Sequence, residues 1–357
     1  MKTIIKIDKS HINNILSPLI LFGLSFLIAA LLMLLSGTNP LAAYRELIKG
    51  AFGGMPEIID TINKSIPICI AAFAVALSKK AGIFNIGVEG QLLFGAFGSV
   101  LAGVYIKGLP AYIHIPLAIF SGMLFGAAWS FLPAILFTKR KVNLLVVFIM
   151  MNNIAKLLIT YFVIGPFAGE NSLVAATSSI QDSAKLPYII SSPNKLTISV
   201  YIVILVTCVL YLFIYRTVWG YEIRAIGTNR EAAGYSGLKV NRYLLLVLVI
   251  GGMLGGLAGG IEILGNYHRL YDGFSPGYGF DGIPIALLVN GNPFGAIIGS
   301  LLFGALRVGS INMQMNAGVS SDIVSIIQGL LVVFISAEYM MKFLLGRRKM
   351  TRRESNE

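Results

Sequence analysis

Three polar side chains, Asn85, Glu89 and Gln91, fall close together among glycines in the stretch AGIFNIGVEGQLLFGAFG, residues 81–98. A carboxylate accepts hydrogen bonds and an amide both donates and accepts them, so this set suits the recognition of a polar solute. It is poorly suited to bond breaking. The chain contains no HExxH or GxSxG pattern, and its three histidines, His11, His114 and His268, are scattered without ligand spacing. Cys69 and Cys208 sit in apolar stretches, where a thiol behaves as a small hydrophobe. No catalytic residue, metal centre or cofactor is expected.

The surroundings make these polar groups informative. Hydrophobic residues form 56% of the 357, charged ones 12%, and the mean hydropathy is +0.80, which places the chain among membrane proteins. Leu16–Leu35 and Leu196–Tyr215 are charge-free and long enough to cross a bilayer. Ala111–Phe137, Val142–Ile164, Tyr243–Leu264 and Ile323–Met341 are nearly as clean. Two further regions, Ile66–Leu77 with Ile83–Ile106 and Ile283–Val289 with Phe294–Leu306, are broken by Gly, Pro and amides and read as short or interrupted helices. The expected fold is therefore an all-α polytopic membrane protein, a single transmembrane domain over 1–357 with about ten transmembrane helices. Irregular backbone at membrane depth survives only where protein or a wet cavity covers it, so the interrupted regions should line a pathway.

Asn85, Glu89, Gln91, Asn152, Asn153, Asp281 and Asn290 are the candidate pathway residues. Asn152 and Asn153 are neighbours about 100° apart on a helix, so at most one points straight inward. Lys156 lies one turn beyond Asn152 and is placed to meet a carboxylate across the bundle. Gly82-Ile83-Phe84-Asn85 and Gly279-Phe280-Asp281-Gly282 are similar openings in the two halves, as an inverted repeat would supply. The pairs Gly251-Gly252, Gly255-Gly256 and Gly259-Gly260 have the spacing of close helix packing.

Lys and Arg gather on one set of loops, at the N-terminus, Lys79-Lys80, Lys139–Lys141, Arg216–Arg242 and the tail Lys342–Arg353. Cytoplasmic loops carry this excess, so both termini are expected there. The net charge of +12 accordingly serves topology and anionic headgroups rather than nucleic acid. On the same side runs the loop 219–242, WGYEIRAIGTNREAAGYSGLKVNR. Asn229 can cap a short helix with Glu231 in its first turn, and Gly234 and Gly237 offer stops. So short a helix does not persist alone in water. Either the chain's own helix ends or a docked partner must hold it.

FNIGVEGQ, IMMNNIA at 149–155 and GYEIRAIGTNREAAGYSGL in the long loop together resemble the permease subunits of ATP-binding-cassette importers for nucleosides and simple sugars, the branched-chain amino acid and ribose-type permease family. The motifs look most like those of the longer of the two permeases in nucleoside importers that use a basic membrane lipoprotein type of binding protein. The resemblance implies a permease in a bacterial cell membrane that pairs with a second permease, commonly a different one. It also implies two cytoplasmic ATPase subunits and an extracytoplasmic substrate-binding lipoprotein. It implies further that the segment with Arg224, Gly227, Asn229, Glu231, Ala232, Ala233 and Gly237 couples to the ATPase. The chain has no GxxxxGK[ST] phosphate loop, so any ATP hydrolysis belongs to a partner. Nucleoside is the expected solute and a simple sugar the alternative. An ion-coupled transporter acting alone, with Glu89 or Glu262 taking protons, is the competing mechanism.

Overall fold

The computed structural model describes residues 23–320 except 170–173 and 193, together with 323, 326, 327, 329, 330 and 333. The N-terminal part of the first expected span, the Ile323–Met341 span and the basic tail lie mostly or wholly outside the described residues.

The chain forms helices α1 (Gly23–Leu35), α2 (Pro40–Phe52), α3 (Met55–Lys80), α4 (Val88–Tyr105), α5 (Ala111–Arg140), α6 (Leu144–Ile164), α7 (Ser199–Arg216), α8 (Val218–Thr228), α9 (Arg230–Tyr235), α10 (Val240–Glu262), α11 (Tyr278–Leu288) and α12 (Pro293–Ala317). Seven of the described helices are long and apolar enough to cross a membrane: α3 to α7, α10 with the turn that extends it to Tyr267, and α12. The helices α1 and α11 are apolar but shorter.

One expectation needs correction. The region Ile66–Leu77 is not a short helix; α3 runs unbroken through Pro67 from Met55 to Lys80. A proline removes one backbone donor, a loss that a membrane helix with packed neighbours absorbs. The interruption falls instead at residues 81–87, before α4 begins at Val88. In the second region α11 and α12 begin earlier than expected, at Tyr278 and Pro293.

Two compact units arise. One comprises residues up to Gly53 and from Leu306 onward, the other Gly54–Ala305. In the first, Asn316 Nδ2 donates to Glu46 Oε2 at 2.9 Å, and a Cβ on Gly50 would lie 2.5 Å from that of Asn312. The second holds every candidate site residue. At its centre are α3, α4 and α10, whose most apolar stretches are 78%, 78% and 72% buried, against 28% for α5, 33% for α6 and 28% for α7. Exposed leucines and isoleucines on the outer three face the place of lipid or a partner.

Glycines set the spacing of the central helices. A Cβ on Gly95 of α4 would meet Gly256 Cα of α10 at 2.1 Å, and one on Gly126 of α5 would meet Gly252 O at 2.3 Å. The small-residue spacing read from sequence is thus used for helix packing, as expected.

Between α6 and α7 the chain leaves helix. Tyr188–Ile190 (β1) pairs antiparallel with Leu196–Thr197 (β2), a small departure from an all-α fold. Tyr188 OH contacts His268 Nε2 at 3.0 Å. Burial, then Lys185 and Lys195, hold the His268 pKa below the ordinary histidine value. Above about pH 6.5 the imidazole is neutral in both folded and unfolded chains. Below it the unfolded chain takes the proton more readily, so stability falls as pH drops toward the lowered folded value. The thermal midpoint in lipid nanodiscs should therefore hold between pH 8 and 7 and fall toward pH 5, and His268→Gln should flatten that fall.

Candidate functional site

The interrupted segment is held by amides. Asn85 Oδ1 accepts from Gly87 N at 3.0 Å, and the Asn85 and Gln91 amides exchange two hydrogen bonds of 3.3 Å. Gln91 Nε2 also donates to Ser130 Oγ at 3.2 Å, and Ser130 donates to Leu248 O at 2.7 Å. Asn152 of α6 accepts from Gly90 N and donates to Ile86 O, both at 2.9 Å. The first backbone donors of a helix lack partners within it, and Asn152 supplies one for α4 from across the bundle. All three amides are buried and use hydrogen-bonding capacity on this chain's own groups.

Glu89 differs. It is fully buried in the first turn of α4, and its Oε2 accepts from Gly279 N at the start of α11 at 2.8 Å. The two helix starts touch: a Cβ on Gly279 would lie 2.5 Å from Glu89 N. Oε1 has no hydrogen bond of acceptable geometry. Ser275, Lys156 and Asp281 are disposed around the carboxyl, and Ser275 Oγ accepts from Gly277 N and Tyr278 N at 3.3 Å each. Asp281 is buried beside this contact in the first turn of α11. Two N-terminal helix ends thus converge on one carboxylate, an arrangement their dipoles favour.

Two candidates lie apart from this centre. Asn153 is exposed and donates back to Ile149 O at 3.0 Å. Asn290 is exposed, adopts φ 51°, and its carbonyl accepts from Lys80 Nζ at 2.8 Å, near the basic end of α3. Asn292 caps α12 by accepting from Phe294 N at 3.0 Å.

At the basic end, Asn229 Oδ1 accepts from Glu231 N and Ala232 N at 3.0 Å each, the cap read from sequence. Glu231 and Ala232 are exposed and Tyr235 is 93% exposed, whereas Ala233 is buried. A groove of about 520 Å³ lies between α8 and α9, lined among others by Tyr221, Arg224, Asn229, Ala232 and Ala233. Gly237 follows with φ 88°, a left-handed turn that glycine adopts without strain. The chain's own helix ends hold this element. Arg230 Nη2 donates to Gly82 O at 2.6 Å, and a Cβ on Gly227 would strike Lys80 O at 2.1 Å. Gly227→Ala must therefore push α8 off the interrupted segment, with an overpacking cost of about 1–3 kcal/mol. A lowered thermal midpoint in mild detergent checks this, with exposed Gly234→Ala as the neutral control.

A further cluster has no counterpart in the sequence reading. Lys64 Nζ of α3 pairs with Glu262 Oε1 at the end of α10 at 3.2 Å, and the Glu262 side chain is fully buried. Asn266 donates to Glu262 Oε2 at 2.7 Å, and Lys64 donates to Tyr267 OH at 3.3 Å. Partners 198 residues apart leave no local signal; only an ionisable residue near the end of each span hinted at them. Lys64→Met strands a buried carboxylate, so it should destabilise by about 3 kcal/mol or more. Adding Glu262→Gln should restore much of the loss in a thermal melt.

Comparison of the whole chain with known proteins shows its family. Residues 57–336 match the model of the branched-chain amino acid transport system / permease component family. The chain belongs to that family. It is a transport component rather than an enzyme. It is 34% identical to the guanosine ABC transporter permease protein NupP of Bacillus subtilis over 344 residues, 95% of this chain and 98% of that one. It is 29% identical to the nucleoside ABC transporter permease protein NupB of Lactococcus lactis, covering 94% of each. It is 31% identical to the glucose ABC transporter permease protein TsgB13 of Haloferax volcanii, covering 86% of this chain and 83% of that one.

Proposed function

We propose that this chain is the permease subunit of an ATP-binding-cassette importer for nucleosides and forms the translocation pathway. The observation that carries the reading is the near full-length similarity to a guanosine permease, on a fold whose buried polar groups centre on one interrupted segment. Glu89 and Asp281 are the pathway-facing groups of the sequence set, Glu89 with an oxygen unpaired. Asn85, Gln91 and Asn152 shape the same segment, and Asn153 and Asn290 belong to its flanks. The chain acts as one permease domain of ten spans in two inverted halves, with both termini cytoplasmic, in a bacterial cell membrane. The nine apolar helices named above, α1 and α11 among them, together with the span expected at 323–341, support that count.

Arg224 through Gly237 dock on a cytoplasmic ATPase, with Glu231, Ala232 and Tyr235 as the exposed contacts and Ala233 packed inward. A second permease, of different sequence, and an extracytoplasmic substrate-binding lipoprotein complete the importer. A simple-sugar permease is the second reading, supported by the likeness to TsgB13. The pairing of Glu262 with Lys64 weighs against Glu262 as a free proton carrier in a lone transporter. Affinity purification from native membranes in mild detergent tests the assembly: an ATPase and a second permease should co-purify, and recovery of this chain alone would contradict it.

A further inference from the structure

Lys64 and Glu262 bring together several unusual features at the end of the bundle opposite the docking helices. Lys64 stands about 24 Å along α3 from Lys80. The turn after Glu262, Ile263–Tyr267, is a π-helix, a rare conformation that is often found at functional sites. It ends at His268 with φ 57°, a left-handed conformation that costs a non-glycine residue energy. Beside Lys64, Asn63 is buried with Oδ1 unpartnered. Apolar side chains of the same volume would hold these helices as well as a buried ion pair does, so packing alone does not account for the charges.

The aromatic rings supply the second half of the argument. The Lys64 ammonium lies 5.0 Å from the centroid of the Tyr267 ring and 5.7 Å from that of Tyr278. Tyr267 is half-buried and meets Tyr271 and Phe274 edge to face at 6.0 and 6.2 Å, so its neighbours fix the ring while part of it stays accessible. A carboxylate offers about four acceptor positions. Lys64 and Asn266 use two of those on Glu262.

We propose that Lys64, Glu262, Asn266, Tyr267 and Tyr278 form a recognition site for the base of an incoming nucleoside. The base stacks on the Tyr267 face by displacing the Lys64 ammonium from it, and its ring N–H and exocyclic amine donate to the free acceptor positions of Glu262. Tyr278 directly precedes Gly279, which Glu89 holds, so a solute leaving this site next meets the two converging helix starts. The inference rests on the nucleoside reading and adds the atoms that read the solute.

The test uses the whole importer in lipid nanodiscs, with Trp129→Phe and Trp219→Phe removing this chain's own indoles, Tyr267→Trp placing one at the site, and the importer without Tyr267→Trp giving the background from the companion subunits. Guanosine should quench the emission saturably, and free ribose at the same concentration should not. In uptake assays Tyr267→Leu should raise the half-saturating guanosine concentration about tenfold while Tyr267→Phe keeps it within about twofold, as expected for loss of base stacking. Equal quenching by ribose, or an unshifted half-saturation for Tyr267→Leu, overturns this site and leaves the nucleoside reading standing. Uptake of glucose but of no nucleoside by the unchanged importer overturns the nucleoside reading and this site with it.

Discussion

Gly256→Val should abolish recovery of folded permease. A Cβ at Gly256 falls 2.2 Å from Gly122 O of α5, and the Cβ of Gly95 on α4 would fall 2.1 Å from Gly256 Cα. Backbone lies on every side, so no side chain can swing away to make room. The usual overpacking cost of about 1–3 kcal/mol assumes that neighbours shift; here α4, α5 and α10, in backbone contact at these glycines, must separate together. Separation would also break the Gln91–Ser130–Leu248 hydrogen-bond chain that joins the same helices. Membrane insertion should persist, since valine makes the span more apolar, while monodisperse protein in mild detergent disappears. Leu205→Val, on the exposed face of α7, should leave yield and thermal midpoint as they were.

The second large effect concerns the basic end. Ala232→Trp or Glu231→Arg should stop uptake while ATP hydrolysis continues uncoupled. Both residues lie on the exposed face of α9, so the bulk or reversed charge meets a partner rather than the chain's own interior. Ala233→Trp is less clean, because Ala233 is buried and its replacement disturbs α9 itself. The consequence for transport follows from the clamp beneath. Arg230 grips Gly82 O, and Gly227 abuts Lys80 O, so a push on α8 and α9 acts on residues 81–87. From there Asn85 and Gln91 lead to Glu89 and the start of α11. Normal uptake by either variant would remove the docking assignment.

Much of this was readable in the chain. The charge-free Leu196–Tyr215 span, the family motifs, the Asn229 cap and the glycine spacing are local signals, and each appears in the fold or in the family match. The break before Glu89 was also visible, because glycine and amides punctuate an apolar run. What the sequence left open depended on distant partners. Whether Asn152 or Asn153 turns inward depends on α4, whose Gly90 and Ile86 meet Asn152. The amides of Asn85 and Gln91 satisfy each other and Ser130 of α5, a partner whose position only the packed bundle reveals. Pro67 suggested a break that the neighbours of α3 suppress. Lys64 stands outside the apolar runs that define the spans, and its pairing with Glu262 joins the first half of α3 to the far end of α10.

The most direct measurement is uptake of labelled guanosine into proteoliposomes that contain this chain with its companion permease and ATPase, with the binding lipoprotein added outside. The account predicts accumulation against a gradient that requires ATP on the ATPase side, stops when the ATPase is omitted, and is competed by unlabelled nucleoside but not by glucose. Accumulation by this chain alone, without the ATPase, would contradict it.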